Sequence, residues 1–528
     1  MKKYIFILGS VALMGFSSCG SDYLETEPQS EVSTPSTVES VMNADHAING
    51  ICRLMTHQYL GSQGFNGEGT IKTWYGNYPG NDFQKCALTG WSSIINGTYH
   101  ANKTSTYLYY PWFYYYKIIG NANVIICNID NAEGSNKGDA DLTERERAFI
   151  KAQALTFRAY AFSQLVQLYC YRWSDSNNGS TDGIVLRIDE SKGDLPLSTL
   201  AESYKQIYAD LDQAVALFEK SGMDRSSDEF FKPNLNVAYA VYARAAQNRE
   251  DWANAAKYAA LAREGYSLMT NEQYADGWHT PNKEWIWGVY EAEDQTLYYY
   301  SFYAYQGANS SASVCRQYPC AISRELIDQI PETDVRKGLY LIPSEDELKE
   351  LNSAGRSTKT LRTRAFKEYG NKLYSTSYVY AYMQFKFLAG FMPGGGSFPI
   401  IRSAEMYYIE AEADCHLGKD AEAQQLLFEA NTLRDESLAK SEKTGDELLN
   451  EVRLYRRFDL WGEGYDWFDY KRWGLPISRK ALSKGGSFHS TFAKTIEPDA
   501  ENKWTWMLPN RETDYNKAIS TGVDKSEQ

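Results

Sequence analysis

The stretch AEADCHLGKDAEAQQLLFEANT, residues 411–432, has the pattern of two helices joined by a tight turn. The turn is Leu417-Gly418-Lys419, and glycine readily ends one helix so that the chain can reverse. In the second helix Ala423, Leu427 and Ala430 recur at helical spacing. Because these residues are small or apolar, they let paired helices approach closely. The stretch therefore predicts a helical hairpin.

The same offsets occur earlier in the chain. In residues 251–265, Ala255, Ala259 and Ala262 occupy equivalent positions after a first helix predicted over residues 236–247. Tetratricopeptide repeats place small or apolar residues at these positions of their second helix, so the pattern resembles that repeat. Two unrelated hairpins are the alternative. The glycine turn and the three recurring offsets favour repeat-like packing.

Two further segments have helical periodicity. Apolar residues between 144 and 171 recur at helical spacing, with charged residues such as Arg158 mostly off that stripe, which predicts a long amphipathic helix. Residues 203–218 follow the same spacing, and Thr199 is among the helix-start signals that precede them.

Between residues 270 and 399 the periodicity breaks up. Gly, Ser, Asn and Pro interrupt aromatic clusters such as Trp285-Ile286-Trp287, and the glycines at 394–396 mark a loop. Short strands and long loops are predicted there. The predicted fold class is mainly α: a tetratricopeptide-like helical-repeat scaffold that carries a loop-rich insertion with few strands.

Composition restricts the classes of partner. The formal net charge of −14 argues against nucleic acid, because that partner is bound largely by Lys and Arg neutralising phosphates. Aromatic residues make up 14% of the chain, and 41 residues are tyrosine. Tyrosine combines a flat apolar face with a polar tip, a surface that suits sugar rings as well as protein cores.

The N-terminus has the features of a lipoprotein signal peptide. Lys2-Lys3 are followed by an apolar stretch over residues 4–16 and by Ser17-Ser18-Cys19-Gly20. The pattern predicts a signal peptide at 1–18, acylation of Cys19 and a flexible tether at 19–37, so that the only membrane contact is through lipid. An ordinary signal peptide with an incidental cysteine is the alternative.

A catalytic interpretation has little support. The chain has no HExxH, no zinc-type cysteine pair, no GxSxG elbow and no phosphate-binding loop, so we expect no enzyme activity and no cofactor. A structural metal ion is left open. Cys127, Cys170 and Cys415 fall in helical patterns and are interpreted as small buried residues. Whether Cys315 and Cys320 form a disulfide is also left open.

Ligand binding has better support. Residues 73–83 mix aromatic rings with Asn, Asp, Gly and Pro, and the insertion contains further aromatics that could form a platform for a sugar. For each ring, burial in the core is the alternative. If the rings are exposed, replacing Trp74 and Tyr78 by Ala should weaken binding with little loss of stability. The candidate ligand-binding residues are Trp74, Tyr75, Tyr78, Asn81, Asp82, Trp278, Trp287, Tyr298, Tyr300, Tyr303 and Arg316.

The most specific motif of the chain is RRFDLWGEG at residues 456–464, which continues through WFDYKRWG at 467–474. With this motif, the chain resembles the SusD/RagB family of outer-membrane nutrient-binding lipoproteins from Cys19 almost to its C-terminus. Asp459 stands where the family often has Glu, and Asp466 where Arg is frequent. We expect the mixed charges of this motif to form a buried ion-pair network rather than a ligand site.

The resemblance implies one SusD-like domain over residues 38–528. Its parts would be an N-terminal helical part (38–269), an irregular insertion with the ligand site (270–399) and a C-terminal helical part with the motif (400–528). Four tetratricopeptide-like helix pairs would form the scaffold. The resemblance also implies a SusC-like TonB-dependent outer-membrane barrel as partner, and a location on the outer membrane, facing the exterior.

The ligand class is likewise implied by the resemblance: mostly glycans, with peptides in one branch of the family. The aromatic composition favours an oligosaccharide. Two rival functions come from other classes. One is a secreted glycoside hydrolase, which requires two carboxyl groups facing each other across a cleft. The other is a helical-repeat lipoprotein that acts only as an assembly scaffold.

Overall fold

A computed structural model describes residues 36–57, 64–87, 90–291, 300–498 and 504–519. The predicted signal peptide, the lipidation site Cys19 and nearly all of the predicted tether lie outside these residues. None of the helices in the described ranges is long and apolar enough to cross a membrane.

Helices dominate the described chain, as expected. The α-helices are α1 Val41–Leu54, α2 Gly67–Thr70, α3 Ser92–Ile95, α4 Thr106–Asn128, α5 Ala140–Tyr169, α6 Leu200–Ser221, α7 Leu235–Asn248, α8 Trp252–Ala262, α9 Asn271–Ala275, α10 Phe302–Gln306, α11 Ser313–Arg316, α12 Arg324–Ile327, α13 Glu345–Lys349, α14 Thr360–Tyr369, α15 Ser403–His416, α16 Asp420–Asn431, α17 Gly445–Asp459, α18 Asp466–Trp473 and α19 Asn510–Thr513. A π-helix spans Ile71–Asn77.

The long helices stack in chain order. Helix α4 packs on α5, α5 on α6, α6 on α7 and α7 on α8; α8 then packs on α15, which contacts α16 and α17. Successive packing of neighbouring helices is the arrangement of helical-repeat proteins. The predicted repeat-like scaffold is therefore confirmed.

Both predicted hairpins are present. Gly418 has a φ of +72° in the turn between α15 and α16, a left-handed conformation that glycine adopts without steric cost. Ala255, Ala259 and Ala423 are completely buried, as the close approach of paired helices requires. Helix α6 begins with a capping box in which the Thr199 side chain accepts from the Glu202 backbone N–H, which confirms that start signal.

Helix α5 exists as predicted, but its second half is not amphipathic. Nearly every residue from Ala152 to Tyr169 is buried, because helices pack on several of its sides. Arg158 was expected off the apolar stripe and is instead only 4% exposed. Its guanidinium forms a bidentate ion pair with Asp210 of α6, at 2.6 and 2.8 Å. Burial of a charged residue at this position thus depends on a partner 52 residues away.

The strands are short and pair two by two. They are β1 Phe83–Lys85, β2 Asp182–Val185, β3 Leu197–Thr199, β4 Trp285–Val289, β5 Cys320–Ile322, β6 Arg356–Ser357, β7 Val379–Tyr380, β8 Phe398–Arg402, β9 Ile477–Ser478 and β10 Thr495–Ile496. The antiparallel pairs are β1–β5, β2–β3, β4–β8, β6–β7 and β9–β10. The insertion thus has the few strands predicted. It also contains the short helices α9 to α14, which the sequence pattern did not reveal.

The N-terminal segment packs directly against the C-terminal motif. Gly76, in the π-helix, lies so close to the motif that a Cβ atom there would be 2.0 Å from the carbonyl oxygen of Gly464. Asn77 spans the same contact, since its Nδ2 donates to Gly462 O at 2.8 Å and its Oδ1 accepts from Gly464 N at 2.8 Å. Two parts of the chain nearly 400 residues apart therefore form one core.

None of the cysteines that the structure describes forms a disulfide. Cys315 and Cys320 are buried and unpaired, and their sulfurs donate to the carbonyls of Gly307 and Tyr305. Cys170 is buried, as expected. The expectation was wrong for Cys127, which faces solvent on α4, and Cys415 is only partly buried.

Candidate functional site

An aromatic cluster lies where the N-terminal segment meets the insertion. Trp74 is at its centre, with its ring centroid 5.3 Å from that of Phe65, 5.5 Å from Tyr107 and 5.6 Å from Tyr305. Each such ring pair contributes about 0.5–1.5 kcal/mol beyond area burial, so the cluster is a rigid unit. Its members are Phe65, Trp74, Trp91, Tyr107, Tyr110, Tyr300 and Tyr305.

Three rings of the aromatic cluster remain partly exposed and form its rim: Trp91, Tyr107 and Tyr300. Trp91 rests on Trp74 and Tyr305, at centroid distances of 6.0 and 5.8 Å, and Tyr300 rests on Tyr305 at 6.1 Å. The Tyr300 carbonyl accepts from Asn66 Nδ2 at 2.7 Å, which fixes the backbone there. The rim therefore presents aromatic surface to solvent on a packed aromatic base.

Most of the sequence-predicted ligand residues do not reach solvent. The expectation that they form an exposed platform is wrong for the residues that are 8% exposed or less: Trp74, Tyr75, Tyr78, Asn81, Asp82, Trp278, Trp287 and Tyr303. Tyr300 and Arg316 are partly exposed. Tyr298 lies outside the described residues.

The buried rings are in separate surroundings. Tyr75 packs on Trp506, 4.9 Å between centroids, and its hydroxyl donates to Tyr107 O. Tyr78 stacks on Phe83, whereas Trp287 lies against Phe157 and Tyr160 of α5. These contacts come from elements distant in sequence, which is why local composition did not indicate the burial.

Trp278 and Tyr303 face the interior of the insertion. The Lys386 ammonium lies 4.5 Å from the Trp278 ring centroid, and the Arg402 guanidinium lies 4.8 Å from it. The Tyr303 hydroxyl donates to Ser397 O at 2.8 Å and also to Trp278 O. Both side chains therefore stabilise the core beneath the insertion.

Asn81 and Asp82 hold the chain to the C-terminal motif. Asn81 Oδ1 accepts from Ser478 N at 2.7 Å, and the Asp82 carboxylate receives two hydrogen bonds from Arg457, at 2.7 and 2.9 Å. Asp466 Oδ2 in turn accepts from the backbone N–H groups of Asp82 and Phe83. An arginine at position 466 could not accept these bonds, so this departure from the family pattern has a local structural role.

The motif charges form a buried ion-pair network, as expected. Arg402 is 1% exposed; it pairs with Glu284 at 2.6 Å, Glu463 at 2.8 Å and Asp459 at 3.3 Å. Lys386 pairs with Glu463 at 2.7 Å. We refer to these five residues as the central charge network. The shorter Asp459 still reaches Arg402, which explains why Asp is compatible with this position.

A second set of ion pairs lies within the motif, between the motif and a repeat helix, and between two repeat helices. Arg456 pairs with Asp469 at 2.7 Å, Arg472 with Glu412 at 2.8 Å, and Arg244 with Glu405 at 2.7 Å. Losing one partner of a buried pair costs about 3–5 kcal/mol, because the other charge is left without compensation. These residues therefore contribute to stability and to the geometry of the fold.

The protonation states follow from this environment. Burial lowers the pKa of Lys386 to about 8, against the attraction of Glu463. Burial raises the pKa of Glu412, but the arginines at 472 and 453 outweigh it and hold that pKa at about 2. Burial and the charge of Asp82 raise the pKa of Asp466 to about 7. Asp466 is thus the exception in a region where most carboxylates are ionised.

A group of arginines in the insertion was missed by the sequence analysis except for Arg316. The Arg356 guanidinium lies 3.4 Å from the ring centroid of Tyr378, and Arg362 donates to Ser377 O. Arg316 donates to Thr376 Oγ1 at 2.9 Å. We call Arg316, Arg356 and Arg362 the insertion arginines. The cationic composition of residues 353–372 was the available signal.

No grouping of three His, Cys, Asp or Glu side chains able to hold a metal ion occurs among the residues that the structure describes.

The fold is that of several solved proteins. A SusD-like carbohydrate binding protein from Bacteroides vulgatus has a TM-score of 0.72 and 20% identity, over 91% of this chain and 97% of that chain. A SusD superfamily protein from Bacteroides thetaiotaomicron has a TM-score of 0.71 and 22% identity, over 91% and 99%. One from Bacteroides fragilis has a TM-score of 0.68 and 17% identity, over 91% and 99%. No curated protein sequence matches this chain.

Two family descriptions match consecutive parts of the sequence. Residues 22–246 match the family described as "Starch-binding associating with outer membrane", which supports carbohydrate binding and association with the outer membrane. Residues 251–526, just over half of the chain, match the family described as "SusD family". The chain therefore belongs to the SusD family.

Proposed function

We propose that this protein is a lipid-anchored protein on the outer face of the outer membrane that binds an oligosaccharide and delivers it to a SusC-like TonB-dependent barrel. Family membership supports the general role. One observation supports an oligosaccharide as the ligand. The rim of Trp91, Tyr107 and Tyr300 is the partly exposed edge of an otherwise buried aromatic cluster.

The rim would bind a sugar without a covalent step. The axial C–H face of a pyranose is apolar, so it can stack on an aromatic ring while its hydroxyl groups stay hydrated or bond to nearby polar groups. Because Trp74 and Tyr305 support the rim from below, its rings would lose little conformational freedom on binding.

A hydrolase is disfavoured by the state of the carboxyl groups near the cluster. A glycosidase needs two carboxyl groups that face the scissile bond across a cleft. Asp82 is held in an ion pair by Arg457, and Asp466 accepts from the backbone N–H groups of Asp82 and Phe83, so both carboxyl groups are engaged in holding the fold together. We therefore propose a binding protein without catalytic activity.

The anchor and the partner are part of the proposal. Acylation of Cys19 would hold the protein at the membrane by several acyl chains, each buried CH₂ contributing about 0.8 kcal/mol. Copurification after mild solubilisation tests the partner: recovery of a TonB-dependent barrel supports delivery to a transporter. Recovery of assembly factors alone would support the scaffold function instead.

Binding can be tested with soluble protein that begins after Cys19. We expect it to bind members of a glycan array and to leave the bound oligosaccharides intact. Trp91→Ala and Tyr300→Ala should each weaken binding about tenfold, the loss of roughly one stacking contact.

The matched control is Tyr290→Ala, because Tyr290 is 51% exposed and outside the aromatic cluster. It should leave affinity unchanged. Release of shortened products would contradict a binding protein, and unchanged affinity in both rim variants would show that the ligand binds elsewhere.

A further inference from the structure

The insertion contains a strongly cationic stretch in an acidic protein. The chain carries a formal net charge of −14, yet residues 353–372 contain six cationic side chains and a single carboxylate, that of Glu368. The cations are Arg356, Lys359, Arg362, Arg364, Lys367 and Lys372. Such local asymmetry creates a positive potential that attracts anions despite the overall charge.

The insertion arginines converge on one short segment, residues 376–378. Arg316 donates to Thr376 Oγ1 at 2.9 Å, and its own carbonyl accepts from Tyr378 N at 2.8 Å. Arg362 donates to Ser377 O at 2.6 Å, and Arg356 stacks over the Tyr378 ring. The β6–β7 pairing, with Arg356 opposite Tyr380, fixes this arrangement.

These three side chains have no carboxylate partner among the described residues. In the part of the chain that the structure describes, no carboxylate oxygen lies within 4 Å of the insertion arginines, whereas neighbouring Arg364 pairs with both Glu347 and Glu368. Glu350, on the same loop, accepts instead from Ser357 Oγ and Leu361 N. All three insertion arginines are partly exposed, so their remaining donors can reach a ligand.

The arrangement suits an anion. A guanidinium presents several N–H donors in a plane, which match the oxygens of a carboxylate or a sulfate. Arg356 is held flat against Tyr378 with its Nε buried and without a hydrogen-bond partner among the described residues, so its terminal N–H groups are the donors that would meet an oxyanion. A preorganised guanidinium loses less side-chain entropy when it binds an oxyanion.

The insertion arginines also adjoin the aromatic cluster through the β1–β5 pair. Lys85 Nζ, in β1, donates to Tyr305 O at 2.9 Å, which joins the strand to the cluster. On the other side, Cys86 N donates to Pro319 O, three residues after Arg316. The strand pair thus connects the segment that follows Arg316 to the base of the aromatic cluster.

From this placement, and resting on the proposed function, we propose that the oligosaccharide is anionic: its carboxylate or sulfate groups bind the insertion arginines while its sugar rings stack on the rim.

The test is calorimetric titration of the soluble protein with oligogalacturonate, a sulfated chondroitin oligosaccharide and a neutral malto-oligosaccharide of similar length. We expect at least one anionic ligand to bind about tenfold or more tightly than the neutral one at low salt, with affinity that falls as salt rises. Oligogalacturonate carries carboxylates alone, whereas the chondroitin oligosaccharide carries sulfates as well, so binding of oligogalacturonate indicates a carboxylate ligand and binding of the chondroitin oligosaccharide without it indicates a sulfate ligand.

Variants then locate the anion. Arg316→Gln with Arg356→Gln should reduce affinity for the anionic ligand about tenfold or more, and leave affinity for the neutral one within about twofold. Arg356→Lys keeps the charge but loses the planar donors, so it should give a smaller loss. Arg187→Gln is the matched control, since Arg187 is partly exposed and its side chain, within the described ranges, donates to the carbonyl of Ser191 rather than to a carboxylate.

Equal affinity for neutral and anionic ligands, or unchanged anionic affinity in the double variant, would overturn this inference and leave the proposed function intact. Failure of every glycan to bind would overturn the proposed function and this inference with it. If a variant keeps the melting temperature of the wild type, its loss of affinity comes from a lost ligand contact and not from unfolding.

Discussion

The central charge network and the insertion arginines use the same side chain in opposite ways. Arg402 is buried with three carboxylates around it, whereas the insertion arginines are partly exposed and, among the described residues, contact a hydroxyl, a carbonyl and two aromatic rings. A guanidinium whose donors are taken by buried carboxylates stabilises the fold. One that has no carboxylate and reaches solvent can still bind another molecule. The kind of partner therefore separates structural from functional arginines.

The largest expected effect comes from Arg402→Met. The substitution leaves Glu284, Asp459 and Glu463 buried without their shared cation, so the free energy of unfolding should fall by about 5 kcal/mol. Urea denaturation measures it, with Arg362→Met as the control, which should change stability by about 0.5 kcal/mol or less. A loss below about 1 kcal/mol for Arg402→Met would show that the network is not stabilising.

Trp74→Ala should also lower the free energy of unfolding, and this should be its main effect. Trp74 is 1% exposed and supports the rim, so its removal leaves a cavity and should cost about 3–4 kcal/mol. Thermal and urea unfolding measure this, with Tyr300→Ala as the exposed counterpart expected to lose about 1 kcal/mol or less. If Trp74→Ala weakened glycan binding at unchanged stability, the sequence expectation of a ligand-contacting ring would be restored.

Asp466 should make stability depend on pH. Its pKa rises from 3.8 to about 7 in the folded protein, so between these values the folded state binds a proton that the unfolded state has lost. Stability from this group therefore decreases as pH rises, by about 2 kcal/mol between pH 5 and pH 7.5. Asp466→Asn should remove this dependence, as urea titrations at several pH values would measure. Parallel pH profiles of wild type and variant would contradict the raised pKa.

The smallest effects are expected for Arg316→Gln, Arg356→Gln and Arg362→Gln. Each should change the free energy of unfolding by about 0.5 kcal/mol or less, because partly exposed side chains outside buried ion pairs contribute little. Differential scanning calorimetry measures this. Destabilisation of 2 kcal/mol or more in any of them would show that this arginine has a structural role, as Arg402 does.

Features governed by local spacing could be predicted from the sequence. The offsets of Ala255, Ala259 and Ala423 gave the helical hairpins because helix pairing depends on residues three and four apart. The resemblance in residues 456–474 added the buried charge network. Both predictions concern residues that can occupy few structural environments. Small residues at this spacing lie between paired helices, and charged residues in an apolar motif need partners of opposite charge.

Exposure of the aromatic residues could not be predicted. Trp74 lies among Asn, Gly and Pro, a composition typical of surface loops, yet those polar residues have partners far along the chain. Asn77 bonds to residues 462 and 464, and Asp82 to Arg457. Burial here depends on tertiary contacts that no local pattern contains. For the same reason Trp91 and Arg356 were missed, although Tyr300 and Arg316 were named.

The contact between Gly76 and Gly464 sets an order of events during biogenesis. The π-helix that contains Trp74 packs through Gly76 against a segment synthesised almost 400 residues later. This packing therefore forms only when synthesis of the chain is nearly complete, since such distant contacts form late and slowly. Fragments cut short before Gly464 would lack it and would be expected to be cleaved by proteases more readily than the whole chain.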